Sequence, residues 1–244
     1  MTTPLPSGQR PAAGGTPLAP LVSPVLPFAP YFVISAIHVG FLVAEHPLAG
    51  PTKLLLMPLL AFAVLWGSAG IRPWPGRALA LLLLGIGFSW LGDGSSTFFP
   101  MFADEVPMML LNFGIAHVLY VVLMWRGRGV AQRGFPRWSL LYVLAYVALM
   151  AVLVQHTGAL TVPVLGYGAL LVATAAVASR CGAVVAWGGF WFLVSDAILS
   201  FRIFTPEAMP DWTSGAVMLT YTLGQGLIAY GIVRALARRA AAAR

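Results

Sequence analysis

RALALLLLGIGFSWLGDGSSTF, residues 77–98, decides the fold. After Arg77 it holds a single ionisable side chain, Asp93, in a run as long as the roughly 20 apolar residues that cross a 30 Å hydrocarbon layer. Similar runs bounded by Pro, Gly and Arg lie on either side of it. Together they predict eight spans: 29–45, 52–67, 77–98, 107–125, 138–155, 160–178, 182–203 and 213–235. The whole 244-residue chain has the same character, being 59% hydrophobic and 9% charged with a mean hydropathy of +0.87, whereas a soluble domain carries about 25% charged residues. The expected fold is therefore all-α, a polytopic membrane protein of eight transmembrane helices. Its loops are too short for a soluble domain.

Three regions are expected. Residues 1–28 read as a disordered Pro/Gly-rich tail, 29–236 as the transmembrane domain and 237–244 as a basic C-terminal tail. Eight of the 19 prolines fall within residues 1–30, a density that no helix sustains. Pro17, Pro20, Pro24 and Pro27 also break up the unbroken apolar core that a signal peptide needs.

Charge placement sets orientation. Twelve of the 14 basic residues, all arginines, fall at one end of the alternating spans: Arg10, Arg72, Arg77, Arg126, Arg128, Arg133, Arg137, Arg180, Arg234, Arg238, Arg239 and Arg244. Only Lys53 and Arg202 lie toward the other end, with the acidic loop residues Asp104, Glu105, Glu207 and Asp211. By the positive-inside rule both termini are cytoplasmic. Basic residues spread over short loops do not form a phosphate-binding stripe, so nucleic acid is not an expected partner. The expected location is the plasma (inner) membrane.

Ionisable side chains at depth need a reason, since each costs about 2.5–3.5 kcal/mol on insertion scales. At 1.5 Å per residue, Asp93 sits about 8 Å and Asp196 about 10 Å below the outer ends of their spans. Asp is too short to snorkel far, so the pair points to function. Glu45, Lys53 and Arg202 ring the same outer half, where long side chains also serve as interfacial anchors. His117 lies about 15 Å down with Tyr120 on the same face, and Tyr221 and Gln225, spaced i and i+4, lie at about 12 and 18 Å. Each of these four also reads as interhelical hydrogen-bonding glue. The expected arrangement is one polar cavity, open toward the outer face.

Other chemistries fail on inspection. There is no P-loop, no H-E-x-x-H and no nucleophile elbow; Gly92-Asp93-Gly94-Ser95-Ser96 has Gly where the elbow needs Ser. His38, His46, His117 and His156 share no i, i+4 spacing, and Cys181 is alone, so neither a metal nor a cofactor is expected. Phe88–Asp93 and Phe192–Asp196 both end on a small residue and Asp, a hint of a four-plus-four parallel repeat.

The polar motifs resemble those of the YhhN family of eight-helix membrane proteins, whose best-known members are lysoplasmalogenases. Thr52-Lys53-Leu54-Leu55 is similar to the family's T-K-P-L segment, departing from it at Leu54. Leu91-Gly92-Asp93 is similar to its L-G-D, and Phe113 to Tyr120, with His117 between them, to its F-x-x-x-H-x-x-Y pattern. Phe192-Leu193-Val194-Ser195-Asp196 resembles its F-x-x-S-D or S-N, and Tyr221-Thr222-Leu223-Gly224-Gln225 its Y-x-x-x-Q or H. The resemblance implies hydrolysis of the vinyl ether of a lysoplasmalogen to a fatty aldehyde and a glycerophospho-base, with Asp93 and Asp196 sharing the acid and cation-stabilising work. It further implies that Lys53 and Arg202 meet the phosphate at the mouth of the site. His117, Tyr120, Tyr221 and Gln225 would orient the carboxylates or the water, with Glu45 nearby. The competing reading is a lipid-handling protein or proton-coupled transporter, because intramembrane carboxylates serve there as well.

The orientation is testable by labelling engineered cysteines in intact cells. A cysteine beside Asp104 should react with an impermeant reagent, and one beside Arg128 should not. Labelling at position 128 from outside would reverse the topology.

Overall fold

A computed structural model describes residues 25–127 and 129–244. Among these residues the protein is all-helical, with eight helices long and apolar enough to cross a membrane. The long helices are α1 (Ala29–Val43), α2 (Ala49–Ser68), α3 (Gly76–Asp93), α5 (Val106–Arg126), α6 (Leu140–Leu153), α7 (Thr161–Ala178), α8 (Ala183–Phe204) and α9 (Thr213–Ala242). A four-residue α4 (Ser95–Phe98) follows α3.

The expected spans and these helices coincide closely, and the differences have local causes. The third span divides at Gly94, a poor helix former, so Asp93 becomes the last residue of α3. The last span runs on to Ala242, through the segment read as a basic tail, because the Ala-Leu-Arg run after Arg234 is made of strong helix formers. Of the tail expected over 1–28, residues 1–24 lie outside the described residues. Leu26–Phe28, however, form a 3-10 turn, and Phe28 is fully buried edge-on against Tyr230, with ring centroids 5.4 Å apart.

Seven of the long helices close a ring in the order α1, α2, α3, α5, α7, α8, α9 and back to α1, while α6 packs outside on α7 and α8. That peripheral place leaves Leu140, Leu141, Leu144 and Val147 of α6 exposed, a surface suited to lipid. α9 is the most enclosed helix: 72% of its most apolar window is buried, against 22–39% for the others. The ring interior therefore receives side chains from every helix except α6.

Glycines set how closely the ring closes. A Cβ on Gly188 of α8 would stand 2.7 Å from the Ile228 amide nitrogen and 3.0 Å from the Gly224 carbonyl oxygen. One on Gly224 of α9 would stand 2.8 Å from the Phe192 nitrogen. The two backbones thus touch, as small residues permit in membrane helix pairs. On α3, Gly85 and Gly92, seven residues apart, face the rings of Tyr120 and Phe113, also seven apart on α5. Between α7 and α8, Cys181 is 2% exposed, and burial pushes its thiol up to about 12, so it packs as a small apolar group.

Gly188→Val should therefore lower the thermal unfolding temperature sharply in detergent, since overpacking a filled contact costs about 1–3 kcal/mol or more. Gly87→Ala, where a Cβ meets nothing within 4 Å, should be neutral or gain up to about 1 kcal/mol. Equal effects of the two would refute the α8–α9 contact.

Candidate functional site

Two polar clusters occupy the ring interior. The first surrounds Asp93, brought in by the end of α3. Tyr221 of α9 donates its phenol proton to Asp93 Oδ2 at 2.8 Å. One turn below, Gln225 donates from Nε2 to Ser89 Oγ at 2.9 Å and to Tyr221 Oη at 3.3 Å, and its Oε1 accepts the Tyr120 phenol at 2.8 Å. Gln225 is 1% exposed and Tyr120 fully buried, so this chain works in a low dielectric, where each satisfied bond is worth more and each unmade one costs more. Lys53 of α2 lies within electrostatic reach of Asp93. Next to Lys53, Pro58 supplies no N–H to the Leu54 carbonyl four residues earlier, and the Trp90 indole N–H of α3 takes its place at 2.9 Å. This bond fastens the Lys53 turn to the helix that carries Asp93.

The second cluster surrounds Asp196 of α8. Tyr167 of α7 donates its phenol proton to Asp196 Oδ2. His117 of α5 places Nε2 3.4 Å from the Tyr167 oxygen and 3.9 Å from Asp196 Oδ2, the only pairing of a basic side chain with a carboxylate within 4.0 Å among the described residues. On its other side, His117 Nδ1 lies 2.9 Å from Thr174 Oγ1, whose own proton goes to the Leu170 carbonyl at 2.9 Å. Thr174 must then accept, so Nδ1 carries a proton. Two arrangements satisfy the remaining groups: imidazolium, phenol and carboxylate, or neutral imidazole, phenol and carboxylic acid. They differ by proton shifts along His117, Tyr167 and Asp196, and the cluster can therefore load or unload a proton at Asp196 without moving a heavy atom.

Phe192, fully buried, stands between the clusters. Its ring centroid is 4.7 Å from that of His117 and 5.4 Å from that of Tyr221. Phe113 meets Tyr221 edge-on at 5.9 Å. A narrow cleft of ≈ 40 Å³ descends between α5, α7 and α8, from Val106 and Phe204 at the helix ends to Tyr167 and Asp196, with Phe113 in its wall. Asp93 does not line it. A second, wholly apolar groove of ≈ 350 Å³ lies between α6, α7 and α8, lined by residues such as Leu149, Val172 and Phe201.

Of the residues singled out in the sequence, Asp93, Tyr221, Gln225 and Tyr120 form one network, Asp196 and His117 the other, and Lys53 stands beside the first. Glu45 and Arg202 join neither. Glu45 is exposed and takes a left-handed backbone, φ 50°, in the turn after α1. Arg202 donates to Thr213 Oγ1 at 2.6 Å and the Pro210 carbonyl at 3.3 Å, tying the end of α8 to the start of α9. Sequence reading gives no role to Tyr167, Ser89, Thr174 or Phe192. Depth could have found Tyr167, which lies six residues into α7, about 9 Å from the end of the helix and level with Asp196.

A model of the YhhN family matches residues 49–232, a range that takes in both clusters and every helix but α1. The chain belongs to the YhhN family. No curated protein and no solved structure matches it. The YhhN match covers both aspartates, His117, both phenol donors and Gln225, so the clusters lie wholly within the family's shared region.

Replacing Asp196 with Asn keeps an acceptor for Tyr167 and removes a buried ionisable group, so Asp196→Asn should unfold at a temperature equal to or above that of the parent. Tyr167→Phe leaves the carboxyl short of its donor and should cost about 1–3 kcal/mol. Thermal unfolding in detergent decides between these outcomes and the reverse order.

Proposed function

We propose that the protein is a membrane-embedded hydrolase that cleaves the vinyl ether bond of lysoplasmalogens, with Asp196 as the acid and Asp93 as the anion that balances the cation. The observation that carries this reading is a carboxyl coupled to a proton relay at the closed end of an apolar cleft. A vinyl ether breaks when a proton is delivered to carbon, which requires an acid held next to a lipid chain and away from bulk water.

In the proposed reaction the Asp196 carboxyl gives its proton to the vinyl carbon distal to oxygen. The π electrons form that C–H bond, and the positive charge left on the neighbouring carbon is shared with the ether oxygen. Asp196, now a carboxylate, keeps the Tyr167 proton bond and faces His117. Water adds to the cationic carbon and loses a proton to the Asp196 carboxylate, which restores the acid, while Asp93 beside Lys53 remains the anion that balances the cation. The hemiacetal collapses to aldehyde and glycerol hydroxyl, and one water is consumed overall. Two carboxyl groups in unlike surroundings taking unlike roles is the logic of glycosidases. The apolar cleft suits the alkenyl chain, and Lys53 suits the phosphate. No activated serine with an oxyanion hole accompanies the carboxylates, so an ester is not the expected target.

Purified protein should release fatty aldehyde from a lysoplasmalogen and leave both the saturated alkyl ether and the ester-linked lysophospholipid intact. Asp93→Asn and Asp196→Asn should each lose turnover at least a hundredfold while remaining folded. Binding of all three lipids with cleavage of none would favour lipid handling, and cleavage of the ester would overturn the reaction class.

A further inference from the structure

Three buried side-chain atoms among the described residues have no hydrogen-bond partner: Ser68 Oγ, Arg180 Nη1 and His38 Nε2. Arg180 is held between the rings of Trp125 and Phe135, its guanidinium carbon 4.7 and 4.8 Å from their centroids, and π faces receive its N–H groups. Ser68 closes α2 at the arginine-rich end, far from either aspartate in depth. His38 is different. It is 1% exposed and lies five residues before the end of α1, about 8 Å down and level with the aspartates.

Its bonding fixes what the orphan nitrogen can do. His38 Nδ1 is 3.0 Å from Thr52 Oγ1. The single Thr52 proton is committed to backbone, to the Leu48 carbonyl at 2.8 Å or the Ala49 carbonyl at 3.1 Å. With its proton on either carbonyl Thr52 accepts, and in the tautomer that matches it Nδ1 carries the imidazole proton and Nε2 is a lone pair with nothing to receive. Burying such an acceptor is unfavourable unless a donor arrives. Lys53, the residue after Thr52, is within electrostatic reach of both His38 and Asp93. An acceptor, an ammonium and a carboxylate are thus carried by α1, α2 and α3, which pack side by side in that order.

We propose that His38 Nε2 receives a hydroxyl proton of the bound lipid, and that this residue selects lipids with a free hydroxyl beside the phosphate. The inference rests on the lysolipid reading above and adds the group that enforces it. On a lysophospholipid glycerol the free hydroxyl lies between the phosphate and the ether-linked chain, as His38 accompanies Lys53 and Asp93. An acylated lipid brings an ester acceptor to the same place and leaves the nitrogen unmatched. Sites built to bond a hydroxyl reject analogues that lack it far more strongly than apolar pockets reject a change of size.

The test compares two vinyl ether lysolipids that differ only in carrying a hydroxyl or a hydrogen at the central glycerol carbon. The parent should favour the hydroxyl lipid about tenfold or more in kcat/KM, since 1.4 kcal/mol is a factor of ten and a lost buried bond is worth about that much. In His38→Leu and His38→Phe the ratio should fall to about one. In His38→Gln, whose Oε1 supplies an acceptor, part of the preference should return. A ratio near one in the parent, or one preserved in the Leu and Phe variants, overturns the proposal; a purely structural role lowers both lipids and leaves the ratio. Should the parent cleave neither lipid, the hydrolase reading fails. The selection is then read from binding of the saturated ether pair by tryptophan fluorescence: the same ratios in Kd support it, and equal Kd values overturn it.

Discussion

An aspartate within a helix bundle must find donors or give up its charge, because a carboxylate stripped of water in apolar surroundings is several kcal/mol out of balance. Asp93 and Asp196 meet this constraint in the same way, each accepting a proton bond from a tyrosine on another helix. Their surroundings then diverge. Asp93 looks toward the Lys53 ammonium and an uncharged Gln225–Tyr120–Ser89 chain, whereas Asp196 looks toward an imidazole that can take or return a proton. Phe192 keeps the two sets of bonds from merging into one, and the pair can therefore hold unlike protonation states a few side chains apart.

The backbone arrangement serves this division. Contact at Gly188 and Gly224 brings α9 against α8, which seats Phe192, one turn from Gly188, beside Tyr221. Gly85 on α3 admits the Tyr120 ring and so brings its phenol to Gln225. Enclosure of α9 by α1, α2 and α8 makes its buried polar groups the hub of the Asp93 network. The repeat hinted at in the sequence is echoed by the two Asp–Tyr pairs. Their donors do not correspond, however: Tyr221 lies on the eighth span and Tyr167 on the sixth, whereas a four-plus-four repeat would put the partners of Asp93 and Asp196 four spans apart in a matching order.

Hydropathy and punctuation were enough to place the eight spans, because in lipid every backbone group must be satisfied within its own helix and the apolar run is the helix. Depth counting was enough to pick out Asp93, Asp196, His117, Tyr120, Tyr221 and Gln225, because polar groups at depth are few. It could not say that they divide into two networks, since ring order depends on which helix is expelled, and α6 carries no mark of that role beyond its uniform apolarity. Arg202 and Glu45 looked like mouth residues by depth, and only the loop geometry shows Arg202 bonded within the α8–α9 turn. Tyr167 and His38 share the depth of the aspartates, and in the sequence only that depth sets them apart from packing residues of an apolar run.

Delivery of a proton to carbon is the claim on which the functional account turns. Hydrolysis of a lysoplasmalogen in D₂O, with the aldehyde reduced at once to the alcohol to prevent exchange, should place one deuterium on the carbon next to the carbinol carbon in every product molecule. Product without deuterium at that carbon would mean that the vinyl group is never protonated, and would contradict the role assigned to Asp196.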